Sequence, residues 1–137
     1  MQDEQLLSIF SSLVEKYSDA KDKIRKETGL TAAEFKGLMC LEIDEEISCQ
    51  DFSGRMHLSV SRGSRVIENL FNKGYLERID SSSDRRCKNV WLTRVGVQIR
   101  KRMDAQIQEC EERLTANIPP NKLKNLKIEL TGLLRKF

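Results

Sequence analysis

Between residues 59 and 93 the hydrophobic period changes from helical to alternating, and few architectures accept that change. Ser59 is followed by Val66, Ile67 and Leu70 at helical spacing, while Ser61, Arg62, Ser64, Arg65, Glu68 and Asn69 fall on or near the other side. Lys73-Gly74 ends that helix, because glycine accepts the positive φ of a C-terminal stop. Tyr75-Leu76-Glu77-Arg78-Ile79 then alternates with period two, and Asn89-Val90-Trp91-Leu92 does so again after a polar loop. A helix running straight into a β-hairpin is thus expected.

What precedes this stretch completes a pattern. Ser48 and Asp51 can cap a short helix that turns Phe52 and Met56 inward, and His57-Leu58 makes a turn before Ser59 caps the next helix. A short helix, a tight turn and a second helix with a polar outer face is a helix-turn-helix, and the hairpin behind it is a wing. Earlier still, Leu6, Phe10, Leu13, Val14, Tyr17 and Ile24 form one apolar stripe on a long first helix ended by Thr28-Gly29. Thr31 and Glu34 form a capping box for a helix bearing Phe35, Leu38, Met39 and Leu41, and Asp44-Glu45-Glu46 reads as a solvated turn. Thr93 can cap a long fifth helix to about Asn117, and Pro119-Pro120 precedes a last helix striped with Leu123, Leu126, Leu130, Leu133, Leu134 and Phe137.

The expected fold class is therefore mainly α: a winged helix-turn-helix with a two-stranded β-wing and N- and C-terminal dimerisation helices. The terminal stripes exceed what so small a middle can cover, which predicts a homodimer. No repeat or linker interrupts residues 1–137, so a single domain is expected, with a winged helix-turn-helix core at 30–96 and dimerisation helices at 1–27 and 97–137.

Charge is distributed unevenly. Residues 55–102 hold 12 Lys and Arg against 4 acids, whereas the rest of the chain holds 12 against 17. A basic middle between acidic flanks suits a polyanion, although a solvated basic face with no partner has the same composition. No apolar run reaches the roughly 18 residues of a membrane span. The start, MQDEQLLSIF, is acidic and polar, unlike a signal or transit peptide, so the cytoplasm is the expected compartment. Cys40, Cys49, Cys87 and Cys110 lack any C-x-x-C spacing and His57 is the one histidine. No metal site is expected, and four reduced thiols packed as small apolar groups are. With no phosphate loop and no nucleophile elbow, neither an enzyme nor a cofactor is expected.

The stretch LSVSRGSRVIENLFNKGYLERIDSSSDRRCKNVWLTRVG resembles the DNA-binding core of the MarR family of regulators. The resemblance lies in Leu70, Lys73-Gly74, Leu76, Arg78, Asp84, Arg86, Leu92-Thr93 and Gly96, taken in order and spacing. It implies a winged helix-turn-helix homodimer on a pseudo-palindromic double-stranded DNA operator, usually a repressor. The second helix of the motif would enter the major groove, with Ser61, Arg62, Ser64, Arg65 and Asn69 as candidate readers. The wing would supply Asp84, Arg85, Arg86 and Lys88, with Arg86 in the neighbouring minor groove and directed by Asp84. Guanidinium suits the concentrated negative potential of a narrow minor groove. An idle exposed ion pair, worth roughly 0–1 kcal/mol, is the plainer account of the same loop. Gly63 departs from the family, which usually has a small or branched apolar residue there.

Two switches are compatible with this picture. In one, the resemblance implies a small-molecule effector, often an aromatic acid, between the dimerisation helices and the winged core; Phe10, Tyr17, Met39 and Trp91 are candidates that core packing also explains. In the other, a thiol is oxidised. Some family members use a cysteine on the first helix, which is lacking here, and Cys87 between Arg86 and Lys88 is the best thiol, since flanking cations favour the thiolate. A winged helix used as a protein-docking module is the rival to DNA binding.

Overall fold

The computed structural model describes residues 4–83 and 86–137. Among the described residues six helices and three strands follow one another: α1 Leu6–Thr28, α2 Ala32–Met39, β1 Ile47–Ser48, α3 Cys49–Arg55, α4 Val60–Asn72, β2 Leu76–Asp80, β3 Cys87–Leu92, α5 Arg94–Thr115 and α6 Pro120–Leu134.

Local signals place most of the boundaries. Gly29, at φ 71°, ends α1. Thr31 Oγ1 accepts from the Glu34 amide while the Glu34 carboxylate accepts from the Thr31 amide, so the capping box is complete. Ser48, Ser59 and Thr93 each accept from the amide three residues on, and thereby start α3, α4 and α5. His57, at φ 56°, makes the turn between α3 and α4.

The two-stranded wing of β2 and β3 forms, and a third strand that the sequence does not announce joins it. β3 lies in the middle of a three-stranded antiparallel sheet in the order β1-β3-β2. Ile47 pairs with Val90 and Ser48 with Asn89, while Leu76 pairs with Leu92 and Glu77 with Trp91. The extra strand is two residues long, too short to show alternation, and it exists because the chain leaving the acidic turn meets an unpaired edge of β3.

The core sits under the helix-turn-helix. Leu38, Leu41, Phe52, Leu70, Val90 and Met103 have no exposed surface, and Leu30, Met56, Ile67 and Leu76 have almost none. Each of the six main elements of the middle contributes to it. The ends do not. Ile24 is the one buried residue of α1 and α6 has none, while Leu7, Val14, Ile128 and Leu134 are each at least 60% exposed.

Candidate nucleic-acid interface

A recognition helix needs a buried side that fixes it and an outer side that is bare. In α4, Val66, Ile67 and Leu70 are buried and Ser61, Arg62, Ser64, Arg65 and Asn69 are all exposed, so the five expected readers share the solvent side. Two of them are partly occupied: Ser64 Oγ donates to the Val60 carbonyl at 2.8 Å, and Ser61 Oγ lies 3.3 Å from Ser59 Oγ. Arg62, Arg65 and Asn69 carry the longer donors. Gly63 explains itself here. It is buried against α3, and a Cβ at this position would collide with the side chain of Ser53, whose hydroxyl already donates to the Cys49 carbonyl at 2.9 Å. Glycine lets the two helices of the motif approach closely.

Beside α4 stands the hairpin. The Ser81 amide donates to the Arg86 carbonyl at 2.7 Å and closes its outer end, with Ser81 and Ser83 hydroxyls 3.0 Å apart. Arg86 and Lys88 are exposed. Asp84 and Arg85 lie outside the described residues. At the inner end, the Thr93 hydroxyl donates to the Gly74 carbonyl at 2.6 Å and the Thr93 amide to the Tyr75 carbonyl at 3.1 Å. Gly96 is packed so tightly on the Tyr75 carbonyl that any Cβ would overlap it. The Leu-Thr-x-x-Gly sequence is thus a clamp between the hairpin and α5.

Several of the cations counted in the sequence are engaged elsewhere. Arg55 meets Glu45 with two nitrogens, at 2.8 and 2.5 Å. Lys73 Nζ donates to the buried Glu34 at 2.6 and 2.9 Å. Burial by itself would raise the Glu34 carboxyl, but Lys73 and the Thr31 amide outweigh it and hold the group below its ordinary value. Arg78 pairs with Asp80 at 3.7 Å and lies over the Phe71 ring. Arg100 is buried, donating to the Leu41 carbonyl at 3.0 Å and to Asp104 at 2.7 Å, and Arg102 pairs with Glu27. The basic excess read from sequence therefore overstates the field at the surface. Arg55, Lys73 and Arg78, all within that basic segment, each have an acidic partner.

The thiols also differ from expectation. Four reduced cysteines were expected; instead Cys49 and Cys87 form a disulfide, with Cα atoms 6.0 Å apart, while Cys40 and Cys110 are free. Their 38-residue separation hides the pairing, since no local spacing signals it. Burial pushes the Cys40 thiol up.

The four candidate effector contacts do not converge. Tyr17 lines a cleft of about 530 Å³ between α1 and α5, together with Leu13, Lys16, Ile107, Arg113 and Leu114. Trp91 borders a separate hollow beside the acidic turn. Met39 packs on the core and against Arg100, and Phe10 is half-buried on α1. Among the described residues no group of three or more His, Cys, Asp or Glu could hold a metal, and no helix is long and apolar enough to cross a membrane.

Comparison with known proteins agrees with this geometry. Residues 30–88 match the profile of the MarR family. Over 83 residues the chain is 31% identical to the transcriptional repressor MprA of Escherichia coli (strain K12), covering 59% of this chain and 47% of that protein. Over 95 residues it is 27% identical to the HTH-type transcriptional regulator SarZ of Staphylococcus haemolyticus (strain JCSC1435), covering 65% of each. The chain thus spans about half the length of the MprA repressor. Among solved structures, a mutant of MepR from S. aureus superposes with a TM-score of 0.76 at 18% identity, over 97% of this chain and 98% of that one. The reduced form of MarR from E. coli superposes with a TM-score of 0.72 at 21% identity, over 98% and 99%. These likenesses establish the winged-helix fold along nearly the whole chain.

Proposed function

We propose, from the match of residues 30–88 to the MarR-family model, that this chain is a transcriptional regulator, a repressor in its commonest form, that binds a pseudo-palindromic duplex as a homodimer. The single observation that carries the proposal is the exposed side of α4, where Arg62, Arg65 and Asn69 stand beside a hairpin ending in Arg86. Arg62 and Arg65 have the forked donors that recognise guanine edges in a major groove, and Asn69 suits adenine. Arg85, Arg86 and Lys88 would meet the flanking minor groove and its phosphates, with Asp84 directing Arg86. The unburied stripes of α1 and α6 would be covered by a second copy, which sets the two α4 helices about one turn of DNA apart. A chain that acts on a chromosome works in the cytoplasm.

The α1–α5 cleft, which Tyr17 lines, is a better place for an effector than the surroundings of Phe10, Met39 or Trp91. Its walls are largely apolar and Lys16 and Arg113 border it, which fits an aromatic carboxylate. A ligand there would shift the populations of half-site spacings.

The test is a fluorescence-anisotropy titration on labelled duplex DNA at several salt concentrations. Contact with several phosphates makes affinity fall steeply with salt, with a slope of about 0.9 per phosphate neutralised. A flat response would point to the docking-module alternative and end the DNA proposal.

A further inference from the structure

One covalent bond joins the helix-turn-helix to the wing. Cys49 is the first residue of α3 and Cys87 the first of β3, and their sulfurs are bonded. Next to the bond, β1 and β3 share a ladder of only two residue pairs, Ile47 with Val90 and Ser48 with Asn89. The sulfur bridge extends that ladder toward the wing tip, where Arg86 is the preceding residue. Both cysteines border a groove of about 480 Å³ between α4 and the hairpin, along with Ser64, Glu68, Arg78 and Arg86. Cys87 keeps partial exposure and Cys49 is 7% exposed.

We propose that Cys49 and Cys87 are a reversible redox pair, oxidised by hydroperoxides, that sets how firmly the wing is held against α4. The consequence for affinity rests on the DNA-binding proposal above; the chemistry does not. Cys87 is the more accessible of the two sulfurs. In the reduced chain its thiolate attacks one peroxide oxygen. The O–O bond breaks, the departing alkoxide or hydroxide takes up a proton, and Cys87 becomes a sulfenic acid. The Cys49 thiolate then attacks the Cys87 sulfur. The S–S bond forms as the S–O bond breaks, and the leaving hydroxide is protonated to water. Two thiols have given two electrons to one peroxide, and the products are a disulfide, an alcohol or water, and one further water. A dithiol returns the pair to the reduced state by two exchange steps. Disulfides in cytosolic chains are usually of this transient kind. Cys40, whose thiol is pushed up by burial, provides an unreactive comparison within the same molecule.

The experiment uses the full chain, reduced with dithiothreitol, freed of it, and titrated with hydrogen peroxide. Remaining thiols are alkylated under denaturing conditions and assigned by peptide mass. The expected result is that Cys49 and Cys87 lose alkylation together while Cys40 and Cys110 keep it, and that dithiothreitol restores both. In the Cys49→Ser chain, Cys87 should stop at a sulfenic acid that dimedone traps. Amide hydrogen exchange across residues 76–92 should be slower in the oxidised chain, and its affinity for a labelled mixed-sequence duplex about tenfold higher, the scale of ordering a residue or so beforehand. Persistence of both thiols at peroxide levels that already oxidise Cys40 would overturn the proposal, as would equal exchange in the two states. If neither state binds the duplex while exchange still differs, the redox pair stands and the DNA-binding proposal is the one that falls.

Discussion

Gly63 and Glu34 show how single residues set the shape of the reading surface. Gly63 lacks a side chain because Ser53 occupies the space, so Gly63→Ala should lower stability by about 1–3 kcal/mol through overpacking. Helix propensity alone predicts the opposite sign, a gain of about 1 kcal/mol. Urea denaturation decides between the two, and adding Ser53→Gly should recover part of the loss. Lys73 and Glu34 tie the end of α4 to the start of α2. Lys73→Met should cost about 1–2 kcal/mol, less than a fully buried pair because the lysine is 40% exposed. The Glu34 carboxyl is held below its ordinary value, so its contribution is complete above that value and disappears as pH falls through the depressed one. The Lys73→Met chain should therefore lose less stability on acidification, as read from urea midpoints at descending pH. On the outer side, Arg65→Ala should weaken duplex binding by about 1–3 kcal/mol with an unchanged urea midpoint. Arg86→Ala should weaken binding while leaving the oligomeric state intact, and equal anisotropy titrations would remove the wing from the interface.

At the level of elements, the disulfide is also a staple. Closing a 38-residue loop should make the oxidised chain more stable than the reduced one by about 3–4 kcal/mol on the chain-entropy account. Thermal melts with and without dithiothreitol measure it. The elements differ in how far they were legible from sequence. Thr31, Ser48, Ser59 and Thr93 announce their helices because a cap is a local bond across three residues, and all four caps form. Gly29 and Gly74 announce stops for the same reason. What stayed hidden is nonlocal. β1 exists only because β3 is beside it; Cys49 meets Cys87 and Gly63 meets Ser53 between elements; Arg55 and Lys73 find acids 10 and 39 residues away. Counting charges along the chain could not reveal which were already matched. The exposed side of α4 was readable, since Val66, Ile67 and Leu70 alone decide which way the helix faces.

The whole molecule is lopsided, with a dense middle and two bare ends. Leu7, Val14, Ile128 and Leu134 stand in solvent although burying a side chain of this kind contributes about 1.5–3 kcal/mol. A homodimer through α1 and α6 should accordingly break when Leu126, Ile128 and Leu134 are replaced by glutamate, giving a monomer in sedimentation equilibrium with the winged core still folded by circular dichroism. A mass unchanged at twice the chain weight would place the contact elsewhere. The clamp at Thr93 and Gly96 gives this arrangement a mechanical meaning. Because the hairpin is bolted to the first turn of α5, and α5 runs for 22 residues or about 33 Å, the helix behaves as a lever arm. A swing of about 5° where the subunits meet would carry the far end roughly 3 Å, so modest rearrangements among distant contacts are enlarged into a change of stride between the two fingertips.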